Sequence, residues 1–193
     1  MQHTHKTWRT LAAAAALLGM TACSDMRQSL FGKDAPPPSC PDVAIVPDAE
    51  YVTKFTPGTG RDLIDVAAEA RMLDIVGACE HSFAKNSDTG TLLVELQVQM
   101  QARRGPGDRA RRAEFEYFVT LLDRQTRGIL QKNIFRVAAE FPGNQTTVQL
   151  LDSPVGLTVP LTKDRRGPNY EILVGFQLTP NELEFNRKTE RPR

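Results

Sequence analysis

The sequence has few of the residues that usually mark a site of chemistry. Its 193 residues include three cysteines and three histidines, and neither a Cys-x-x-Cys pair nor a phosphate-binding Gly-x-x-x-x-Gly-Lys loop occurs. Basic and acidic side chains nearly balance, 24 against 23, so the cationic excess typical of nucleic-acid binding is missing. No apolar run approaches the ~20 residues that a transmembrane helix needs. These absences argue against a zinc ribbon, a P-loop enzyme, a nucleic-acid-binding protein and a membrane-spanning protein.

The first informative feature is the pattern of residues at the start of the chain. Lys6 and Arg9 precede LAAAAALLG at 11–19, and a charged start before a short apolar segment is the pattern of a secretory signal peptide. The segment closes with small residues directly before Cys23. This closing motif resembles the lipobox of bacterial lipoproteins, although Met20 stands where that motif usually has leucine.

The lipobox resemblance implies a membrane anchor. In lipoproteins the cysteine thiol receives a diacylglycerol, the signal is cut before the cysteine, and the new N-terminus is acylated. Residues 1–22 would then be the signal peptide, and Cys23 would carry three chains derived from fatty acids such as palmitate. Two or more chains hold a protein stably on a bilayer. Ser24 rather than aspartate follows the cysteine, and resemblance to the sorted lipoproteins of enteric bacteria then implies a place on the outer membrane facing the periplasm.

The rest of the chain divides into a tether, one domain and a tail. Removing the signal peptide leaves a formal charge near −1, since it removes two of the 24 basic residues and none of the 23 acids. Residues 23–39 contain the anchor cysteine and a polar stretch with three consecutive prolines, which is typical of an extended tether. We expect a folded domain over 40–187 and a flexible tail over 188–193.

Two cysteines remain once Cys23 is assigned to lipid. Cys40 and Cys79 form an even remainder in an oxidising compartment, which favours a disulfide. The alternative, two buried free thiols, stays open. A zinc site is disfavoured because His81 is the only histidine that follows the signal peptide.

Most of the domain shows the two-residue period of β-strands. In VELQVQMQA at 94–102, apolar and polar residues alternate over nine positions, which predicts a half-buried strand. A turn at 123–128 predicts that the strands on either side of it form a hairpin. The predicted strands lie at 43–46, 94–102, 114–122, 129–141, 146–151, 155–161 and 170–178.

Two further segments need separate treatment. Residues 62–80 could form a helix capped by Asp62 or a strand whose alternation fails near Met72 and Leu73. We favour the strand, which would then need a bulge at that point. Near the C-terminus, Thr179-Pro180-Asn181-Glu182 is a capping box and predicts a short helix over about 179–186.

About seven strands separated by turn signals predict an all-β fold. The expected architecture is an antiparallel β-sandwich of the immunoglobulin/fibronectin-like type with a short C-terminal helix.

Several features together resemble a group of uncharacterised lipoproteins from alphaproteobacteria. They are the lipobox, the Pro-rich tether, CPDVAIVPDA at 40–49, GAC at 77–79 and YEILVGFQLTPNELEFNR at 170–187. The resemblance covers most of residues 40–187. It implies an envelope lipoprotein and assigns no activity to any residue.

The sequence offers no convincing catalytic set. His81 and Ser82 are neighbours in an apparent loop, and adjacency alone does not build a nucleophilic site. Glu95, Glu114 and Glu116 occupy polar positions of predicted strands, as expected for a solvated sheet face. We therefore predict a non-enzymatic protein with no cofactor and no metal.

The only indication of binding chemistry comes from two arginine-rich segments expected to be loops, ARRGPGDRARR at 102–112 and LTKDRRGPN at 161–169. Arginine forks bind phosphate and carboxylate groups, so the two loops would form a cationic patch if they share one end of the sandwich. The leading hypothesis is a structural or assembly module with a protein partner in the envelope. The alternative is a module that binds an anionic lipid or glycan. The candidate anion-binding residues are Arg103, Arg104, Arg109, Arg111, Arg112, Arg165 and Arg166.

Overall fold

The computed structural model describes residues 39–58 and 61–189, and 57% of those residues lie in strands. The predicted signal peptide, Cys23, most of the tether and residues 190–193 lie outside the described residues. Short 3₁₀ turns occupy Pro47–Ala49, Leu63–Asp65 and Gly167–Asn169. The strands are β1 (Asp42–Ile45), β2 (Tyr51–Phe55), β3 (Val66–Phe83), β4 (Gly90–Arg104), β5 (Arg112–Asp123), β6 (Ile129–Glu140), β7 (Thr147–Leu151), β8 (Val155–Leu161) and β9 (Tyr170–Phe176), and one helix, α1 (Pro180–Lys188), follows them.

The strands form two sheets that pack face to face. The first sheet has the order β1-β9-β5-β6. The second has the order β2-β3-β4, with β7 and β8 following one another along the far edge of β4. The prediction of a mostly β, two-sheet sandwich with one short helix is confirmed. One pairing departs from the antiparallel expectation, since β1 runs parallel to β9.

The alternating segments supply the core between the sheets. In β4, the residues from Val94 to Ala102 that were predicted to face inward are all buried. The same holds in β5 and β9, where alternate apolar side chains point at the opposite sheet. Burial of such alternate apolar surface is the main force that holds two sheets together.

The ambiguous segment at 62–80 is a strand, as favoured by the sequence. Up to Met72, the even-numbered residues of β3 face the core. The register with β4 then shifts between Met72 and Asp74, so that Ile75 and Cys79 become the better-covered residues. A bulge adds one residue to a strand and reverses its alternation. The break in the sequence pattern is therefore the bulge itself.

The C-terminal helix begins as the capping box predicts. The Thr179 hydroxyl accepts a hydrogen bond from the Glu182 amide, and the Glu182 carboxylate accepts one from the Thr179 amide. The helix extends to Lys188, two residues past the predicted end, so the start of the predicted flexible tail is helical. Among the described residues, no helix has the length and apolar character needed to cross a bilayer.

Strand β2 was not predicted from the sequence pattern. Its five residues, Tyr51–Phe55, lie between Pro47 and Pro57 and are too few to show a clear period. Its pairing with β3 forms the strand, and helix α1 packs beside it. The Phe55 and Phe185 rings meet edge to face, with their centroids 5.3 Å apart.

Strand β4 defines the two ends of the sandwich. Its first residue, Gly90, pairs with Leu161, where β8 ends. We call this the Cys40 end, because the described chain enters the domain here; the loops 84–89, 124–128 and 162–169 lie at it. The last residue of β4, Arg104, marks the Arg104 end, where the loops 105–111 and 141–146 lie.

Candidate functional site

The two arginine-rich loops lie at opposite ends of the sandwich. The loop 105–111 lies at the Arg104 end, and the loop 162–169 lies at the Cys40 end. The 15 residues of β4 separate them, and at about 3.3 Å per residue the separation is about 40 Å or more. The condition for a single cationic patch is therefore not met. Arg103 and Arg104 also belong to β4, and Arg112 begins β5, so these three are strand residues.

Several arginines near the Arg104 end form ion pairs with carboxylates. The Arg104 Nε lies 2.5 Å from the Asp108 Oδ2, and Arg112 contacts Glu114 and Glu140, each at 2.9 Å. Although burial raises the pKa of Asp108, hydrogen bonds from the Ala110 amide and from Arg104 outweigh it, and the pKa is lowered. Within the described residues, no ion pair holds Arg103, Arg109 or Arg111.

The arginines of the other loop are paired as well. Arg165 contacts Asp123, a residue only 3% exposed, which also accepts hydrogen bonds from two backbone amides of its own turn. Arg166 lies 3.6 Å from Asp88, and its guanidinium lies 5.0 Å from the centre of the Phe83 ring. These contacts join neighbouring loops, so both arginines first serve to fix the Cys40 end of the domain.

The structure does not bring His81 and Ser82 together as a reactive pair. Both belong to β3 rather than to a loop, so the loop assignment at this point is wrong. Successive residues of a strand point to opposite faces. The His81 Nε2 is buried without a hydrogen-bond partner among the described residues, and its ring stacks on Phe83 with centroids 6.2 Å apart.

The candidate glutamates are also dispersed. Glu116 pairs with Arg136 at 2.8 Å and Glu114 with Arg112, both on the first sheet, whereas Glu95 lies on β4 of the second sheet. The described part of the chain contains no cluster of three or more side chains that could bind a metal ion.

A partly buried polar contact that leaves no sign in the sequence pattern crosses the sandwich. The hydroxyl of Tyr117, on β5, donates a hydrogen bond to the Asp152 carboxylate, with 2.5 Å between the oxygens. Asp152 lies at the break between β7 and β8, where its amide also donates to the Val98 carbonyl. Burial raises the pKa of Tyr117 well above its usual range, and the hydrogen bond to Asp152 acts in the same direction. Only the fold brings together two residues that are 35 positions apart.

Replacing Tyr117 with phenylalanine is expected to lower the free energy of unfolding by about 1.5 kcal/mol at pH 7, since a hydrogen bond to a charged group is lost. The unfolded tyrosine loses its proton near pH 10, whereas the folded one keeps it. The wild type should therefore lose stability as the pH rises above about 10, and the variant should lose less. Urea unfolding at pH 7 and between pH 9.5 and 11 measures both effects. If the free energy of unfolding falls equally steeply with pH in both proteins above pH 10, the raised pKa of Tyr117 is contradicted.

The most distinctive exposed feature is the outer half of β3. Strand β2 pairs with β3 only as far as Arg71, so no described strand pairs with that edge of β3 from Asp74 to Phe83. The structure joins Cys79, in the middle of this segment, to Cys40 by a disulfide, with the two Cα atoms 6.0 Å apart. The disulfide joins the start of the described domain to the half of β3 that has this free edge.

Two grooves flank this free edge, one on each face of the second sheet. The inner groove, of about 210 Å³, lies between the start of β1 and β3, and its lining side chains are apolar. The outer groove, of about 250 Å³, contains Val76, Glu95 and Pro154. Gly77, Ala78 and Leu96 line both grooves; Gly77 has no side chain and Ala78 has only a methyl group, so β3 has a notch at this point.

The free edge had only a weak signal in the sequence. The short run of small residues at 77–79 stood out as a pattern, but nothing local shows that β2 ends before β3 does. Comparison with known proteins adds no constraint: the chain matches no protein-family model, and neither the curated proteins nor the solved structures contain a significant match.

Proposed function

We propose that the chain is a lipid-anchored, non-enzymatic interaction module of the bacterial cell envelope, and that it binds a protein partner through the free edge of β3. The observation that supports this proposal is the edge of β3 from Asp74 to Phe83 that no described strand pairs with, together with the apolar groove beside it. A strand edge with free backbone groups is a ready template for pairing with another chain.

The anchor part of the proposal rests on the sequence around Cys23. Three acyl chains on that residue would hold the protein on a bilayer, on the outer membrane facing the periplasm. The domain begins 17 residues later at Cys40, and a chain of that length spans at most about 60 Å. At that point Ser39 packs against the loop 162–169, where a Cβ on Gly167 would collide with the Ser39 carbonyl.

The group of alphaproteobacterial lipoproteins remains our proposal for the nearest relatives. The immunoglobulin/fibronectin-like type is likewise our proposal for this sandwich. The parallel pairing of β1 with β9 and the strand order 1-9-5-6 are the features against which any such relative should be compared.

The alternative is a module for an anionic lipid or glycan. The arginines with no ion pair among the described residues, Arg103, Arg109 and Arg111, support it. Their neighbours are held by acids, and the second loop lies at the other end of the sandwich. We therefore rank a protein partner first.

The proposal is tested by cross-linking in the cells that make the protein. A photoreactive amino acid replaces Val76, whose side chain is 50% exposed beside the free edge; the matched control replaces Ile134, which is 53% exposed on β6 of the first sheet. The full-length chain is irradiated in intact envelopes, and covalently attached proteins are identified by mass spectrometry. We expect one envelope protein to be enriched with the Val76 probe and absent with the Ile134 probe.

A Cys23→Ala variant with the same probe tests the anchor separately. We expect this variant to leave the membrane fraction and to lose incorporation of labelled palmitate. If neither probe captures a protein and only lipid or glycan co-purifies, the partner hypothesis is wrong and the alternative replaces it.

A further inference from the structure

We infer that the free edge of β3 binds an extended segment of its partner as an added strand, and that this segment combines apolar side chains with lysine or arginine. The inference rests on the proposed function, because it specifies the chemistry of the partner at the same edge. Four features of the edge support it, and they concern the backbone, the space beside it, the charge and the disulfide.

The backbone feature is that the molecule covers one part of this sheet edge and leaves the other open. Beside β2, helix α1 lies close enough for the Asn186 amide to donate hydrogen bonds to the Tyr51 carbonyl at 2.7 Å and to the Asp48 carbonyl at 3.0 Å. The Met72 amide still donates to the Glu50 carbonyl at 2.9 Å, but from Asp74 onward nothing comparable covers this edge of β3 within the described residues. Backbone groups on an uncovered edge are free to pair with an incoming strand.

The second feature is space for a strand at close range. A Cβ on Gly77 would lie 2.5 Å from the Leu96 Cδ2 and 2.8 Å from the Glu95 carbonyl oxygen, so this position requires glycine. The backbone that approaches Gly77 closely is that of β4, which already pairs with β3, and the missing side chain leaves room for the grooves beside the strand. An added strand points alternate side chains to opposite faces, and a groove is present on each face of β3 at this point.

The inner groove favours apolar side chains. It lies between the unpaired edge of β1 and the unpaired edge of β3, and its lining includes Pro41, Val43, Ile75 and Leu96. A volume of about 210 Å³ is enough for one or two aliphatic side chains. Every second residue of the added strand should therefore be apolar.

The outer face carries acids without basic partners. Asp74 and Glu80 lie on β3, and Glu95 lies on β4 directly opposite Ala78, so the three share the outer face around the groove. Within the described residues, no ion pair involves any of these carboxylates. The alternate side chains of the added strand should therefore be lysine or arginine, because opposite charges across a strand pair stabilise it.

The same charges disfavour a second copy of this chain as the partner. Antiparallel pairing of two β3 edges about Gly77 would place Asp74 of one copy opposite Glu80 of the other. Like charges directly opposite one another destabilise a strand pair. Acids on an edge strand also discourage self-association, and that role alone would require no partner.

The disulfide keeps the inner groove in place. It joins Cys40, on the β1 side, to Cys79, on the β3 side, and both residues line the groove. The groove is thus held at its end by a covalent bond rather than by packing alone.

The test uses the full-length lipidated protein in detergent and two synthetic nine-residue peptides with capped ends. One peptide alternates lysine with valine, and the other alternates glutamate with valine. Fluorescence anisotropy measures binding, and hydrogen exchange read by mass spectrometry locates it. We expect the lysine peptide to bind and to slow exchange across 74–83, and the glutamate peptide to bind at least about tenfold more weakly.

The charge assignment is tested with matched variants. The triple variant Asp74→Asn, Glu80→Gln and Glu95→Gln should weaken binding of the lysine peptide at least about tenfold. The control Glu114→Gln, Glu116→Gln and Glu140→Gln changes the charge equally on the first sheet and should leave binding unchanged. N-methylation of alternate peptide amides should abolish binding in one register only, which is the signature of strand addition.

The possible outcomes separate the two proposals. If the lysine peptide does not bind, if both triple variants weaken it equally, or if exchange slows elsewhere, the inference is overturned. The proposed function still holds in that case provided that the Val76 probe captures an envelope protein. Capture of no protein overturns the proposed function, whereas selective binding of the lysine peptide would still establish the strand-addition chemistry of this edge.

Discussion

Replacing Cys40 and Cys79 together with serine is expected to lower the free energy of unfolding by about 4 kcal/mol. The disulfide closes a loop across 39 positions, and on the chain-entropy model such a closure removes about 4 kcal/mol of freedom from the unfolded chain. Cys40 lies two residues before β1, and among the described residues no strand precedes it. Urea unfolding of the oxidised wild type and the double variant measures the difference.

Two controls separate the bond from the residues. The reduced wild type should unfold at the same urea concentration as the double-serine variant, because both lack the bond. Hydrogen exchange in the variant should rise first across 74–83, where β4 is the only described strand that pairs with β3. A loss below about 1 kcal/mol, or faster exchange confined to the first sheet, would contradict the role given to the disulfide.

The parts of the fold that sequence reasoning predicted are those that local pattern determines. In β4 and β5 the inward side chains are apolar and most of the outward ones are polar. This two-residue period reveals each strand without knowledge of its neighbours. The capping box of α1 is equally local, since Thr179 and Glu182 satisfy each other's backbone groups. Even the bulge in β3 was visible as a break in alternation.

The parts that were missed depend on which strands pair and where each pairing stops. The arginine loops could have shared an end or not, and only the register of β4 with β8 shows that they do not. The pairing of β1 parallel to β9 and the contact of Tyr117 with Asp152 are long-range features of the same kind. None of them leaves a period in the sequence.

The candidate site, the free edge of β3, also depends on which strands pair and where each pairing stops. The free edge exists because β3 has 18 residues and β2 has five, so that β2 covers only the first part of it. From sequence, Gly77 and Ala78 are merely small residues in a strand. They become a notch between two grooves only when β1 lies beside them and β4 behind them.

Replacing Phe115 with alanine is expected to lower the free energy of unfolding by about 3–5 kcal/mol, the usual loss for a buried aromatic side chain. Phe115 is 1% exposed, and its ring lies 6.1 Å from that of Phe176 on the neighbouring strand. The loss arises from lost burial and from the cavity that remains between the two sheets. Thermal and urea unfolding of the variant and the wild type measure it.

Phe118→Ala is the matched control, since it removes the same ring from the opposite face of the same strand. That ring lies outside the sandwich, under the Lys132 ammonium at 4.8 Å and against Gly175, so its removal opens no cavity in the core. Its loss should be clearly the smaller of the two. Equal losses would mean that the space between the sheets does not dominate stability. Below its unfolding temperature, Phe115→Ala should still bind the lysine peptide like the wild type, because the edge of β3 depends on β4 and the disulfide rather than on this ring.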